Sequence, residues 1–479
     1  MRRPICLVAL ILCLAAVGPA RVAAAQPGIA GRWEGHIAVL GGKLTILVSL
    51  TQDATGVKGT IDIPQQNAKA LPLTNLRVEA TTLHFELPAG PGLAVFNGAL
   101  KDGAISGTFE QAGIAGTFEL TRPVPGATPA AAAAPEPPPP YKVEEVSFKS
   151  GTITLAGTLT LPDTKGPSPA VVLITGSGAQ NRDEEVFGFK IFRVIADHLT
   201  RHGIAVLRCD DRGVGGSTGS VPQSTTADFA DDTLAGVKYL QKRAEIDPTH
   251  IGLLGHSEGG IVAPMLAARS TDIAFIILMS GPGLPGEQIM LAQSELVGRA
   301  AGRTDEQVKR NQEIQRALFA AVRSGTGWDE GAAMIRREVK AGIDALPDAR
   351  RQALGDTDTL VDAQVKGQID AVRTPWFKFF LDFDPASVLD KVRCPVLALF
   401  GGHDVQVPVA ANRAAMEQAF ARGGFKNYRI DVFPRANHLY QDSESGGVGE
   451  YATLKKEFVP GFLDLITTWI GEQAKPGKR

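Results

Sequence analysis

The stretch Ile251-Gly252-Leu253-Leu254-Gly255-His256-Ser257-Glu258-Gly259-Gly260 decides how this 479-residue chain folds. Its first five residues read as a short buried strand and the run 261–269 as a helix, so Ser257 stands at the turn between them. In that setting the pattern G-x-S-x-G makes a nucleophile elbow. The chain reverses so sharply that the serine takes strained backbone geometry, and Gly255 and Gly259 remove side chains that would collide there. The hydroxyl is thereby carried to the carboxyl edge of a sheet. Pro264 falls inside the helical run and is expected to bend the helix or delay its start. The plainer reading, a serine that merely caps a helix, is outweighed by the partners found downstream.

A serine hydroxyl attacks a carbonyl when a base takes its proton, and histidine titrates in the right range. Eight histidines are available. His36 and His84 belong to the N-terminal region, while His198, His202 and His250 precede strands and fall at the wrong edge of the sheet. His256 adjoins the serine and cannot turn back onto its hydroxyl, and His403 adjoins a carboxylate. His438 remains, in the loop Pro434-Arg435-Ala436-Asn437-His438 after a strand at 428–433. The base needs a carboxylate to fix its tautomer and to stabilise the imidazolium. Asp404 ends Gly401-Gly402-His403-Asp404, just past a strand at 396–400. Its rivals are Asp384, which precedes that strand, and Asp431, which lies within the next one; its own plainer reading is a turn cap.

Around these residues, buried strands at 170–175, 204–209, 251–255, 274–279, 396–400 and 428–433 alternate with helical stretches such as 187–202 and 229–243. That alternation predicts an α/β fold with a mostly parallel sheet, preceded by a β-hairpin around Ser150-Gly151. The rhythm breaks once. Much of the span between Met279 and Val396 is rich in Ala, Gln, Arg and Glu at helical spacing, which predicts a helical cap at about 284–385 over the sheet. The whole domain is expected to span 141–479, after an Ala/Pro linker at 123–140 that has no means of building a core and fixes no orientation. Before the linker, residues 26–122 read as a small antiparallel β domain or barrel. Short strands there alternate with Gly-rich turns, and Gly-Thr recurs at Gly59-Thr60, Gly107-Thr108 and Gly116-Thr117.

Two further stretches carry a resemblance. They are Thr175-Gly176-Ser177-Gly178-Ala179-Gln180-Asn181-Arg182-Asp183-Glu184 and Arg208-Cys209-Asp210-Asp211-Arg212-Gly213-Val214-Gly215-Gly216-Ser217. With the elbow, and with the order Ser257, Asp404, His438, residues from about 145 to 472 resemble the α/β-hydrolase superfamily. More narrowly they resemble a bacterial branch of carboxylesterases with serine-aminopeptidase-like cores. The resemblance implies an acyl-enzyme on Ser257 and an oxyanion hole made by the N–H groups of Glu258 and Ser177. The histidine that often precedes the glycine of the oxyanion loop is absent, so the second donor rests on Gly176 alone. Asp211 and Arg212 are read as a scaffold turn whose two side chains pair with each other.

Composition narrows the function further. Lys plus Arg number 49 and Asp plus Glu 51, so no strong field draws in nucleic acid or an anionic membrane and a neutral small substrate fits the balance; that this partner is a small ester is what the resemblance implies. No nucleotide motif, metal pattern or other cofactor site is read: Gly213, Gly215 and Gly216 lack the spacing of G-x-G-x-x-G, and His198 and His202 lack His-Glu-x-x-His. Arg2 and Arg3, the apolar run 5–17 and Val22-Ala23-Ala24-Ala25 predict a signal peptide over 1–25, hence an exported, periplasmic or secreted protein without a stable membrane anchor. That leaves Cys209 and Cys394, expected at opposite ends of the sheet as buried free thiols. Two rival readings stay open at this point, a peptidase or amidase of the same fold and a non-catalytic ligand-binding protein. The β domain is read as a module that binds an unknown ligand or packs on the hydrolase domain.

Overall fold

The computed structural model describes residues 29–123 and 138–474, apart from 40–41, 54–55, 64–67, 80, 89–92, 112–113, 347, 349–350, 352–356 and 452. The expected signal peptide at 1–25 and most of the expected linker lie outside the described residues.

The N-terminal region forms one antiparallel sheet of nine strands. Its two outermost strands, Ala68–Pro72 and Thr74–Glu79, are joined by Leu73 alone, whose N–H reaches the carbonyl of Gly59 at 2.9 Å. The sheet therefore curls on itself, and alternate residues such as Leu83, Phe85 and Leu87 fill its inside. Phe85 stacks on Phe96 at 4.4 Å between ring centres. The Gly-Thr repeat has a packing reason at Gly107, where a Cβ would lie 1.9 Å from the carbonyl oxygen of Asn97. Neither outermost strand is predicted from sequence. Ala68–Pro72 is short and ends in proline, which an edge strand tolerates and a central one does not.

Eight strands form the second sheet, in the spatial order Lys142–Ser150, Ile153–Leu161, Ala205–Cys209, Ser168–Ile174, Ile246–His256, Ile276–Met279, Val396–Gly401 and Tyr428–Phe433. The first two are antiparallel to their neighbours and the rest are parallel. The inner strands are buried on both faces, which is why they read as unbroken apolar runs. Helices Thr226–Leu240, Gly259–Ala267 and Val409–Arg422 cover one face, and Ile191–Arg201 and Phe462–Gln473 the other. This is the α/β-hydrolase arrangement.

Several expectations are corrected in detail. The helix predicted over 187–202 begins only at Ile191, because Phe187 and Gly188 both take positive φ and turn a small hairpin between Glu185–Val186 and Phe189–Lys190. Pro264 does not delay the helix after the elbow, which starts at Gly259 and runs through it. Asp211 and Arg212 do not pair. Arg212 reaches Asp232 at 2.6 Å, while Asp211 accepts from Thr175 Oγ1 at 2.7 Å and from the N–H of Gln180 at 2.8 Å, tying the 175–180 loop down. Cys209 and Cys394 are free thiols, partly rather than fully buried, and burial of the sulfurs pushes both up to about 12.

Between the strands Ile276–Met279 and Val396–Gly401 the chain builds the helices Gly286–Ala300, Asp305–Ser324, Trp328–Asp344, Thr357–Val372 and Pro375–Asp382. The excursion leaves the sheet at the carboxyl end of Ile276–Met279, and its Ile289, Met290, Trp376 and Phe380 line one cavity with Ser257, so it lies as a cap on the edge that carries the serine. Val95 of the β domain packs against Leu360 and Ala363 of the cap. Among the described residues no helix is long and apolar enough to cross a membrane.

Candidate active site

Ser257 has φ +52°, the left-handed conformation that a side chain rarely accepts. The glycines around it are required by contact. A Cβ on Gly255 would lie 2.0 Å from the carbonyl oxygen of Gly259, and one on Gly259 would lie 2.2 Å from that of Ile174. Strand, turn and helix thus fix the backbone of Ser257 from both sides.

Asp404 and His438 come from the exits of Val396–Gly401 and Tyr428–Phe433 and meet at the same edge. His438 Nδ1 lies 2.8 Å from Asp404 Oδ2, and the two residues are 4 % and 5 % exposed, so bulk water does not screen the bond. Oδ1 of Asp404 accepts the N–H groups of Gln406 at 2.8 Å and Val407 at 2.9 Å. Burial pushes this carboxyl upward, but the attraction and hydrogen bond of the His438 ring, with the hydrogen bond from the N–H of Val407, outweigh it and hold it below the ordinary carboxylate range. The loop bearing His438 is anchored by buried Asn437, whose Oδ1 accepts from the N–H groups of Leu439 and Gln441, both at 2.9 Å. Neither rival carboxylate is near. Asp384 bonds the N–H of Ala386 at 2.9 Å, and Asp431 pairs with Arg429 on the outermost strand.

Ser177 and Glu258 line the same cavity as Ser257 and His438. The N–H of Gly176 is already taken by Glu184 Oε1 at 2.7 Å, which leaves the N–H of Ser177 as the donor that this loop can turn toward a ligand. The Glu258 side chain has a role that the sequence does not announce. Its Oε1 accepts from Thr226 Oγ1 at 2.7 Å and from Trp376 Nε1 at 2.8 Å, so the residue after Ser257 also holds the cap. Burial pushes its carboxyl upward. Trp376 is set by the start of its helix, where Pro375 occupies the first turn and Thr374 Oγ1 caps the N–H of Phe377 at 3.1 Å.

The cavity has a volume of about 410 Å³. Ile289, Met290, Trp376 and Phe380 of the cap give it an apolar wall, and Gln293, Gln406 and Tyr451 give it a polar one. On that polar side Gln293 Nε2 bonds Gln406 Oε1, and Gln406 Nε2 bonds Tyr451 OH, each at 3.1 Å. Sequence reading misses Glu184, Trp376 and this glutamine pair, since each meets the site through contacts more than 40 residues away in the chain. Among the described residues no group of three or more His, Cys, Asp or Glu is disposed to hold a metal ion. His198 and His202 stack on each other at 4.4 Å.

Trp376→Phe keeps a ring in the cavity wall and deletes the donor to Glu258. The buried acceptor loses a partner, and a loss of about 1–2 kcal/mol in stability is expected from urea denaturation. An unchanged midpoint at unchanged slope would show that the cap does not depend on this bond.

Residues 171–448 match the profile of the alpha/beta hydrolase family. The chain belongs to this family. The hydrolase is 26 % identical over 334 residues to esterase EstD of Thermotoga maritima, covering 69 % of each chain. Among solved structures it is similar to a Pyrococcus furiosus esterase, at 16 % identity with a TM-score of 0.41, covering 70 % of this chain and 90 % of that one. It is likewise similar to a Mycobacterium smegmatis proline iminopeptidase, at 18 % identity with a TM-score of 0.41, covering 69 % of this chain and 98 % of the other.

Proposed function

We propose that this hydrolase cleaves carboxylic esters of small substrates through an acyl-enzyme on Ser257. The observation that carries the reading is the buried Asp404–His438 pair, whose histidine shares with a strained Ser257 the lining of a capped, largely apolar cavity. His438 takes the Ser257 proton as the hydroxyl attacks the ester carbonyl, and Asp404 stabilises the imidazolium that forms. Negative charge moves onto the carbonyl oxygen, where the N–H groups of Ser177 and Glu258 receive it. Such donors bind the tetrahedral oxyanion better than the flat carbonyl, each lowering the barrier by roughly 3 kcal/mol. The proton passes to the departing alkoxide, and His438 then activates the water that frees the acid. Similarity to an enzyme named as an esterase supports the choice of ester over other acyl substrates. The apolar wall of Ile289, Met290, Trp376 and Phe380 suits an acyl chain. On the leader read at 1–25, the enzyme works outside the cytoplasm.

The test is labelling with an alkyl fluorophosphonate, followed by turnover of esters of graded acyl length and of the matching amides. One label per chain on Ser257, with esters cleaved faster than amides, is the expected result. Faster cleavage of the amides would transfer the assignment to a peptidase. A folded protein that neither takes the label nor turns over any ester would remove the acyl-enzyme reading.

A further inference from the structure

A second histidine–carboxylate pair, Glu184 and His256, lies in the lining of the same cavity, and the ester mechanism does not use it. His256 Nδ1 is 2.8 Å from Glu184 Oε1, and His256 Nε2 is 3.0 Å from the backbone carbonyl oxygen of His438. The same Oε1 accepts the N–H of Gly176. His256 and Glu184 are 3 % and 2 % exposed. Glu184 takes φ +45°, a conformation that costs a non-glycine residue free energy and that persists where the surroundings impose it. Its Oε2 is buried without a hydrogen-bond partner among the described residues. These contacts join three separate loops, one bearing Gly176 and Ser177, one Ser257 and one His438. They converge tightly: a Cβ on Gly176 would lie 3.0 Å from Glu184 Oε1, 3.2 Å from Ser257 Cβ and 3.5 Å from His256 Nδ1.

The partners of His256 determine its protons. A neutral imidazole offers one donor and one acceptor. Both His256 nitrogens face acceptors, a carbonyl that never carries a proton and a carboxylate oxygen that already receives an N–H. With Glu184 ionised, both nitrogens donate and the ring is an imidazolium balanced by that carboxylate. We propose that Glu184 and His256 are positioning residues of the active site: a resident His256 imidazolium, neutralised by Glu184, holds the His438 backbone and the oxyanion loop in register about Ser257. The proposal rests on the acyl-enzyme reading of Ser257. Charge balance matters because His438, whose ring centre is 4.7 Å from that of His256, must itself become a cation during acylation. A neutral pair does not oppose that step, whereas a lone imidazolium would.

The charged and titratable groups around His256 are Glu184, His438 and Asp404, with Asp211 beyond Glu184. Burial lowers the affinity of His256 for its second proton, and the Glu184 charge and hydrogen bond more than undo this, so its pKa lies above the ordinary imidazole value. The pair's contribution to stability is then fully present below about pH 6.5 and lost as pH rises through the raised folded-state value.

The experiment is ¹⁵N NMR of the full-length protein labelled at histidine, with the His256 signals assigned by their absence in His256→Gln. Both ring nitrogens are expected to be protonated at pH 7, and in Glu184→Gln the ring is expected to become neutral at that pH. A neutral wild-type His256 at pH 7 overturns the proposal. This readout needs no turnover, so it stands apart from any failure of the ester reading. Kinetics supply the second arm. In His256→Gln and Glu184→Gln, kcat is expected to fall 10- to 100-fold with KM within about threefold, and an alkaline decline of kcat is expected in the wild type and not in His256→Gln. Folded variants that keep the wild-type kcat and pH profile would overturn the positioning role.

Discussion

Ser257→Ala is expected to lower kcat for ester hydrolysis by about 10⁶-fold, the scale at which removal of a serine nucleophile leaves only binding and oxyanion stabilisation. The variant should fold. Alanine meets the same φ of +52° as serine, and the constraints imposed by Gly255 and Gly259 on the turn are untouched. Fluorophosphonate labelling should be lost together with turnover. The measurement is kcat and label incorporation, alongside a thermal melt within a few degrees of the wild type. If a folded Ser257→Ala protein kept even a hundredth of the activity, the nucleophile would have to be sought elsewhere.

Asp404→Asn is expected to cost about 10⁴-fold in kcat through the tautomer of His438. Oδ1 of Asp404 accepts two backbone N–H groups, from Gln406 and Val407, and these will orient an asparagine with its carbonyl oxygen toward them. The amide NH₂ is then left facing His438 Nδ1, where the carboxylate oxygen stood at 2.8 Å. To accept from that NH₂, Nδ1 must give up its proton, and the remaining proton moves to Nε2. A ring protonated on Nε2 is no base for Ser257. Asp384→Asn and Asp431→Asn alter a helix-start bond and an exposed pair with Arg429, so both should stay within about twofold of the wild type. A comparable loss in either, with Asp404→Asn active, would move the carboxylate assignment.

Local sequence carried much of this. The elbow is legible because its constraint is local: a turn that tight demands glycine at Gly255 and Gly259, and those residues stand beside the serine in the chain. The parallel strands are legible because burial on both faces leaves unbroken apolar runs. Asp404 and His438 could be picked out by elimination, because a strand's direction tells which of its ends a following loop occupies. The failures have physical causes too. The hairpin before Ile191 was hidden by Phe187 at positive φ, a conformation that its residue type does not advertise. Ala68–Pro72 was hidden by weak strand propensity, which an edge position overrides.

By itself, then, the sequence determined the alternation of parallel strands and helices after residue 170, the family resemblance and the three residues at the carboxyl edge, since each follows from spacing along one strand, turn or helix. Only the tertiary structure decided what meets what across the chain. Glu184 reaches His256 over 72 positions, Trp376 reaches Glu258 over 118, and Gln293 reaches Gln406 over 113. Those contacts depend on how loops and cap close over the sheet. A hydrogen bond between residues so far apart leaves no period or pattern in either segment, because each polar side chain is placed by the packing of the elements that carry it.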